Sequence, residues 1–301
     1  MIVEALAPAK VNLTLHVTGR RQDGYHFLDM LVAFGPTADR LTFEPAGKLE
    51  LEVTGPEAST VPLGEDNLIL RAARLIAGDA GAKITLEKNL PVMSGIGGGS
   101  SDAAATLRGL GLMLEKTGQL GGMDAGSVLQ PLAQDIIRLG ADVPMCLLAQ
   151  GCRAQGVGER LTFVKMPPVA CLLVNPRVPV GTPAVFRELN GAYGGTMPDA
   201  IPDFESAQAF IGFAAKHRND LEAPASRLAP VIVNVLDELR GSDGCGLARM
   251  SGSGATCFAL FEDAEKAKAA GIKIRASNPD WWMAGGYLGN RQSYSEPRVI
   301  D

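Results

Sequence analysis

The chain has 301 residues, 46% hydrophobic and 20% charged, with a net charge of −5 and a pI near 5.4. That length supports a sizeable core and two lobes, and the acidic balance argues against a broad surface for nucleic acid. The N-terminal segment lacks a signal-peptide pattern and no apolar run reaches the roughly 20 residues of a membrane span, so a cytoplasmic protein is expected.

Val11 to Val17 alternates Val11, Leu13, Leu15 and Val17 with Asn12, Thr14 and His16. That is the pattern of a half-buried strand, with Lys10 in phase with Asn12 on its polar face. Asp23-Gly24 in RRQDGYHF reads as a turn. LELEV (Leu49 to Val53) and KITLEK read as strands, and between them Leu68, Ala72, Leu75 and Ile76 fall at helical spacing. A helix is expected from Ser100 to Glu115, with Leu107, Leu110 and Leu114 on one face. A second is expected within Asp124 to Leu139, stopped by Gly140. VACLLVNP and ATCFALF read as buried strands. From Ser226 an amphipathic helix is expected, with Leu228, Val231, Ile232, Val235, Leu236 and Leu239 inward. The Gly/Pro-rich stretch from Asn190 to Pro202 reads as a loop. Strands and helices mix without strict βαβ alternation, so the expected class is α+β. The expected boundary falls at Gly151 to Gly158, dividing 1–158 from 159–301.

Five cysteines include no CxxC pair, and with three histidines no zinc-ligand spacing appears. Cys171 and Cys257 lie in apolar runs and read as buried thiols.

LPVMSGIGGGSSDAA, Leu90 to Ala104, carries glycine at 95, 97, 98 and 99, then Ser100, Ser101 and Asp102. A Walker A loop starting at Gly95 would need glycine at Ser100 and a lysine after it, and the dinucleotide fingerprint fails at the same serine. The HRD and DFG elements of protein kinases are missing. The chemistry of anion binding remains. Consecutive glycines let backbone N–H groups turn inward. Ser100, Ser101 or Asp102 can cap the helix, and the helix N-terminus favours a phosphate. The hydroxyls of Ser100 and Ser101 are placed to reach phosphate oxygens or a Mg²⁺ shell. The plain alternative is a ligand-free strand–helix turn, which needs fewer glycines.

Three blocks stand in a specific order: PAKVNL (Pro8 to Leu13), PVMSGIGGGSSDAA, and MSGSGATCFALF (Met250 to Phe261). Together they resemble the three motifs of the GHMP kinase family, the galactokinase, homoserine, mevalonate and phosphomevalonate kinases. Further stretches sharpen this: PAKVNLTLHVTGRRQDGYH, EDNLILRAARL, LGADVPMCLLAQGCRAQGVGERL and TPAVF. These resemble the branch whose acceptor is 4-CDP-2-C-methyl-D-erythritol, in the non-mevalonate route to isoprenoid precursors. The likeness runs from Pro8 to Phe261 and fades from about Ala264, although WWMAGG still fits.

The resemblance implies a two-lobed GHMP kinase fold. Its N-terminal lobe would be like ribosomal protein S5 domain 2, and its C-terminal lobe a ferredoxin-like α/β sandwich. It implies transfer of the ATP γ-phosphoryl group to the acceptor's 2-hydroxyl, with Mg²⁺ arriving on ATP and no tightly bound cofactor or dedicated metal site. The partners would be small molecules, with no nucleic acid or membrane, for a monomer or weak homodimer. Asp142, in GADVP, reads from its position as a helix cap or a working acid; the resemblance makes it the catalytic aspartate. Lys10 reads as a snorkelling lysine; the resemblance sets it beside Asp142, stabilising charge in transfer.

The implied ATP site is Pro91, Val92, Met93, Ser94, Gly95, Ile96, Gly97, Gly98, Gly99, Ser100 and Ser101, with Asn67 lining the adenine pocket as well as capping a helix. Lys88 is an expected nucleotide contact, set against the solvated lysine that commonly ends a strand. For the acceptor, Asn12 would bond a methylerythritol hydroxyl, Tyr25 and Phe186 would sandwich cytosine, His26 would read its edge, and Val157 would line the same pocket. SGSG (Ser251 to Gly254) would brace the phosphate loop. Two alternatives stay open. One is another GHMP small-molecule kinase for mevalonate, phosphomevalonate or homoserine. The other is a nucleotide-binding regulator or RNA-binding module on the S5-like half-fold.

Overall fold

The computed structural model describes residues 1–78 and 80–301. Its spine is a long hairpin, β1 (Val3–Arg20) and β2 (His26–Pro45), in antiparallel register down to Arg20 opposite His26. The turn is where Asp23-Gly24 placed it: Gly24 has φ 95° and Arg21 N–H donates to Tyr25 O at 2.7 Å. β3 (Glu50–Thr54), α1 (Leu68–Ala77) and β4 (Ala82–Glu87) follow, with β3 and β4 parallel. Next come α2 (Gly98–Lys116) and three short helices, α3 (Ala125–Leu129), α4 (Ala133–Leu139) and α5 (Val143–Leu148). β5 (Cys152–Gly156) pairs with β2, and β6 (Arg160–Phe163) pairs with β5. The first sheet therefore extends past Gly158.

The second lobe starts with β7 (Val169–Asn175), then α6 (Thr182–Glu188), α7 (Ala207–Ala215), α8 (Glu222–Leu228) and α9 (Val231–Arg240). β8 (Cys245–Met250), β9 (Cys257–Phe261), α10 (Ala264–Ser277) and β10 (Trp282–Leu288) complete it. The sheet order is β10-β7-β9-β8, all antiparallel, which is the ferredoxin-like arrangement. The chain then returns through α11 (Gln292–Ser295) to β11 (Arg298–Val299), which pairs with β1. The α+β, two-lobed class is borne out. Among the described residues no helix is long and apolar enough to cross a membrane.

Four expectations need correction. β1 is not half-buried: Asn12, Thr14 and His16 are all buried. The second lobe covers them, with Thr14 Oγ1 donating to Met197 Sδ at 3.3 Å and His16 Nδ1 bonded to Gly195 O at 3.0 Å, while Leu15 pairs at the strand edge with Arg218 O and Asp220 N–H. Ala9, Val11 and Leu13 on the other face share a core with Cys171, Leu173, Phe258 and Leu260. Strand alternation reports half-burial only when one face meets water. The helix expected across Asp124–Leu139 is two helices, α3 and α4, separated at Gln130–Leu132 around Pro131. Likewise the helix expected from Ser226 is two, broken at Ala229-Pro230, so Leu228 ends α8 and is 47% exposed. Finally, α2 begins at Gly98, two residues before the serines.

Candidate active site

Lys10 stands in β1 at an irregularity in the pairing with β2, between Pro8 and Lys10. Its N–H donates to Ile96 O at 2.9 Å, tying the strand to the glycine loop. Its ammonium is buried and donates to Asp142 Oδ2 at 2.7 Å and Asn12 Oδ1 at 2.9 Å. Asp142 takes the N-cap position of α5, ahead of Pro144, yet its carboxylate makes no capping bond. The side chain turns to Lys10 and stays 33% exposed, open to a ligand on its other side.

The loop curls over this pair. Gly97 is the N-cap of α2 in the left-handed region, φ 64°, with no side-chain cap. None of Ser100, Ser101 and Asp102 caps the helix, because glycine supplies the turn from the backbone alone. A Cβ on Gly97 would press on Lys10 Cε at 3.0 Å. The first helical N–H is that of Ser101, onto Gly97 O at 2.9 Å. The N–H groups of Gly98, Gly99 and Ser100 precede it and have no helical carbonyl to meet. Ser100 Oγ faces Gly140, beside Asp142. The other expected loop side chains turn inward. Ser101 Oγ donates to Pro8 O at 2.8 Å, Ser94 Oγ to Pro91 O at 2.6 Å, and Ile96 is in the core. Pro91 is buried, Val92 half-buried and Met93 exposed. What these positions offer a ligand is backbone, and the expectation of a Ser101 hydroxyl on phosphate is corrected.

Of the four loop glycines, Gly95 has the tightest surroundings. A Cβ there would collide with Ser251 O and lie 2.7 Å from Gly254 N. Ser251 Oγ accepts from Asn12 N–H at 3.0 Å and donates to Gly95 O at 2.9 Å. Thr256 N–H donates to Ser94 O at 3.0 Å, and Asn219 Nδ2 bonds the carbonyls of Met250 and Gly252 at 2.8 Å. The third motif thus braces both Asn12 and the loop. Trp282 Nε1 adds a bond to Asn89 O at 3.0 Å, at the loop's approach.

Lys88 is not presented to a ligand, contrary to expectation. Its buried ammonium lies 2.6 Å from Asp39 Oδ2 and 2.5 Å from Asp102 Oδ2, under Gly98. Asp39 Oδ1 also accepts from Asn89 N–H and Leu90 N–H, at 2.6 and 2.8 Å. Asp102 Oδ1 has no partner among the described residues. Burial first, then the Asp39 charge, hold the Asp102 carboxyl well above its ordinary 3.8, against the pull of Lys88. A raised folded value means that its contribution to stability is complete below pH 3.8 and is lost as pH rises. Asp102→Asn is therefore expected to raise Tm, by an amount that grows from acid towards neutral pH. Lys88→Met leaves two carboxylates facing each other and is expected to cost about 3–5 kcal/mol. Equal losses from both variants in thermal unfolding would refute this division. Asn67 is likewise engaged within the protein: Oδ1 caps α1 through Ile69 N–H at 2.8 Å, and Nδ2 donates to Pro62 O at 2.7 Å.

On the acceptor side, His26 stacks on Phe186 with ring centroids 4.6 Å apart, and Tyr193 meets His26 edge-on at 6.0 Å. Tyr25 is 64% exposed beside them in sequence. The ring facing Phe186 is thus His26 rather than Tyr25. Burial, then Arg20, lower the His26 pKa below its ordinary 6.5, favouring the neutral ring, with one donor and one acceptor nitrogen. Val157 lies in the turn after β5, whose Gly158 approaches Ala141 O, next to Asp142. Sequence reasoning missed the anchor of the 190–202 loop. Arg153 grips Asp29 with two bonds of 2.7 Å and also holds the carbonyls of Met197, Pro198 and Asp199.

The GHMP kinases N-terminal domain matches residues 67–150, and the GHMP kinases C-terminal model matches residues 200–280. A 4-diphosphocytidyl-2-C-methyl-D-erythritol kinase of Paracoccus denitrificans is 53% identical, over 94% of this chain and 95% of that protein. The chain belongs to the 4-diphosphocytidyl-2-C-methyl-D-erythritol kinase family, a branch of the GHMP kinases. A relative of the same name from Cereibacter sphaeroides is 49% identical over 94% of this chain and 98% of its own. The crystal structure of a 4-(cytidine 5'-diphospho)-2C-methyl-D-erythritol kinase superposes with a TM-score of 0.74 at 38% identity. That match covers 95% of this chain and 99% of that one.

Proposed function

We propose that this chain transfers the γ-phosphoryl group of ATP to the 2-hydroxyl of 4-CDP-2-C-methyl-D-erythritol, giving ADP and the 2-phosphate in the non-mevalonate route to isoprenoid precursors. The observation that carries this is the Lys10–Asp142 pair, 2.7 Å apart beneath the glycine loop of a GHMP kinase. The acceptor oxygen bonds the γ-phosphorus as the bond to the ADP oxygen breaks, and its proton passes to the Asp142 carboxylate. Lys10 offsets the charge on the moving phosphoryl group. The free N–H groups at the start of α2 hold the phosphates, with the helix dipole behind them.

Among the described residues no group of three or more His, Cys, Asp or Glu is placed to hold a metal ion. The hydroxyl of Ser100 is an oxygen donor that suits Mg²⁺ brought in on ATP. When bound, it neutralises phosphate charge. The Asn12 amide is committed within the protein, to Lys10 through Oδ1 and to Met30 Sδ through Nδ2, so it would have to release Met30 to bond the acceptor; Val157 contributes the pocket wall, and His26 a neutral edge for cytosine between Phe186 and Tyr25. That pocket requires the His26 ring to slide off Phe186 or to share its face. The first lobe, through β6, carries the phosphates, and the expected boundary at 158 moves beyond Phe163; the second lobe closes the acceptor pocket. The protein is read as cytoplasmic, a monomer or weak homodimer, acting on small molecules without nucleic acid or membrane.

ADP release is measured with ATP and 4-CDP-methylerythritol, mevalonate or homoserine. Turnover is expected with the cytidine substrate alone; turnover with mevalonate or homoserine instead would overturn the assignment. Tyr25→Ala is expected to raise the KM for the cytidine substrate by roughly 5–100-fold, the worth of one stacked base, with kcat little changed. An unaltered KM would remove Tyr25 from the pocket.

A further inference from the structure

We propose that Arg108 is a positioning residue for this reaction, holding the Lys10–Asp142 pair in place against the glycine loop. The inference rests on the kinase reading above. Arg108 lies on α2, roughly 15 Å from the helix start at about 1.5 Å per residue, and touches none of the reacting groups. Its guanidinium makes four hydrogen bonds, all to main-chain carbonyls. Nη1 donates to Cys146 O at 2.8 Å and Leu147 O at 2.9 Å, Nη2 to Leu6 O at 2.9 Å, and Nε to Ser295 O at 3.0 Å.

Three of those four acceptors belong to elements that carry the chemistry; the fourth, Ser295 O, ties in α11. Cys146 and Leu147 are in the last turn of α5, where carbonyls lack helical partners and the dipole is negative. Asp142 is the N-cap at the other end of the same short helix. Leu6 precedes Lys10 on β1, and α2 opens at the glycine loop. One side chain therefore fastens the Asp142 helix and the Lys10 strand to the helix that the loop begins. Ser101 joins the same three elements nearer the loop, through Pro8 O at 2.8 Å and Cys146 Sγ at 3.4 Å.

Burial pushes the Arg108 guanidinium down to about 10, and no carboxylate is among its partners. An apolar side chain would avoid that desolvation but would leave the four carbonyls without this donor. What the rigid fork supplies is direction, several bonds at fixed angles.

The test uses Arg108→Met, Arg108→Lys, and Arg108→Met combined with Asp142→Asn, in steady-state kinetics and thermal unfolding. Arg108→Met is expected to stay folded and lose roughly 10–100-fold in kcat, as a displacement of about 1 Å would cause. Both KM values should stay within about 3-fold of wild type, the mark of an interaction used in the transition state. Arg108→Lys should recover part of the rate. The double variant should lose no more than Asp142→Asn alone, because both act on one arrangement. Unchanged kcat, losses that multiply in the double variant, or a loss matching the unfolded fraction would each overturn the proposal. If Arg108→Met does not fold, Arg108→Lys alone and with Asp142→Asn decides by the same criteria. A wild type inert towards 4-CDP-methylerythritol would overturn the kinase reading and this inference with it. An active wild type beside an indifferent Arg108→Met overturns this inference alone.

Discussion

Asp142→Asn is expected to lower kcat by roughly 10²–10⁴-fold, the range of a positioned acid or base, while the fold and the KM for ATP hold. The carboxylate makes no capping bond at the start of α5, so the helix does not need its charge. The amide has nearly the same shape and keeps an oxygen for Lys10. It cannot take the acceptor's proton. Phosphoryl transfer through a loose transition state asks little of a base. A loss near the lower end therefore points to an orienting role, and one near the upper end to real proton acceptance. Steady-state kinetics with both substrates, set beside the melting curve, make the measurement. Near-normal turnover would remove Asp142 from the reaction.

Lys10→Ala is expected to cost roughly 10²–10³-fold in kcat, comparable with losing one preorganised electrostatic donor. The ammonium is buried, and its removal leaves Asn12 Oδ1 without a partner. Asp142, a third exposed, turns to water instead, so the protein stays folded. Lys10→Arg is expected to do little better. The Gly97 position leaves only 3.0–3.1 Å between an ideal Cβ and the Lys10 stem, so a planar guanidinium would displace the loop. Combined with Asp142→Asn, the loss should be scarcely greater than for the stronger single variant, as for groups acting as a unit. Multiplying losses would separate the two residues.

Much of the fold was legible because local rules sufficed. Asp23-Gly24 closes the first hairpin, and VACLLVNP and ATCFALF are fully buried strands. The glycine loop could be told from other phosphate loops by spacing alone. Lys10 and Asp142, 132 residues apart, were joined by family resemblance, because no local pattern relates them. What escaped was tertiary. The polar face of β1 looks solvated until the second lobe covers it. Lys88 looks like any lysine ending a strand, because Asp39 and Asp102 lie 49 and 14 residues away. A signal was present even so. Asp39 falls in phase with buried Leu41 and Phe43, and an acid on the inward face of a strand demands a partner. Arg108 gave no such sign, since its partners are carbonyls, which every residue has.

The contact between Ser251 and Gly95 bridges 156 residues. The curl of the glycine loop is thus written in two distant halves of the chain. During synthesis, the first half leaves the ribosome with every glycine in place but without the serine that holds Gly95 O and Asn12 N–H. The hydrogen bonds that hold the loop are complete only once the region around Ser251 has emerged and docked.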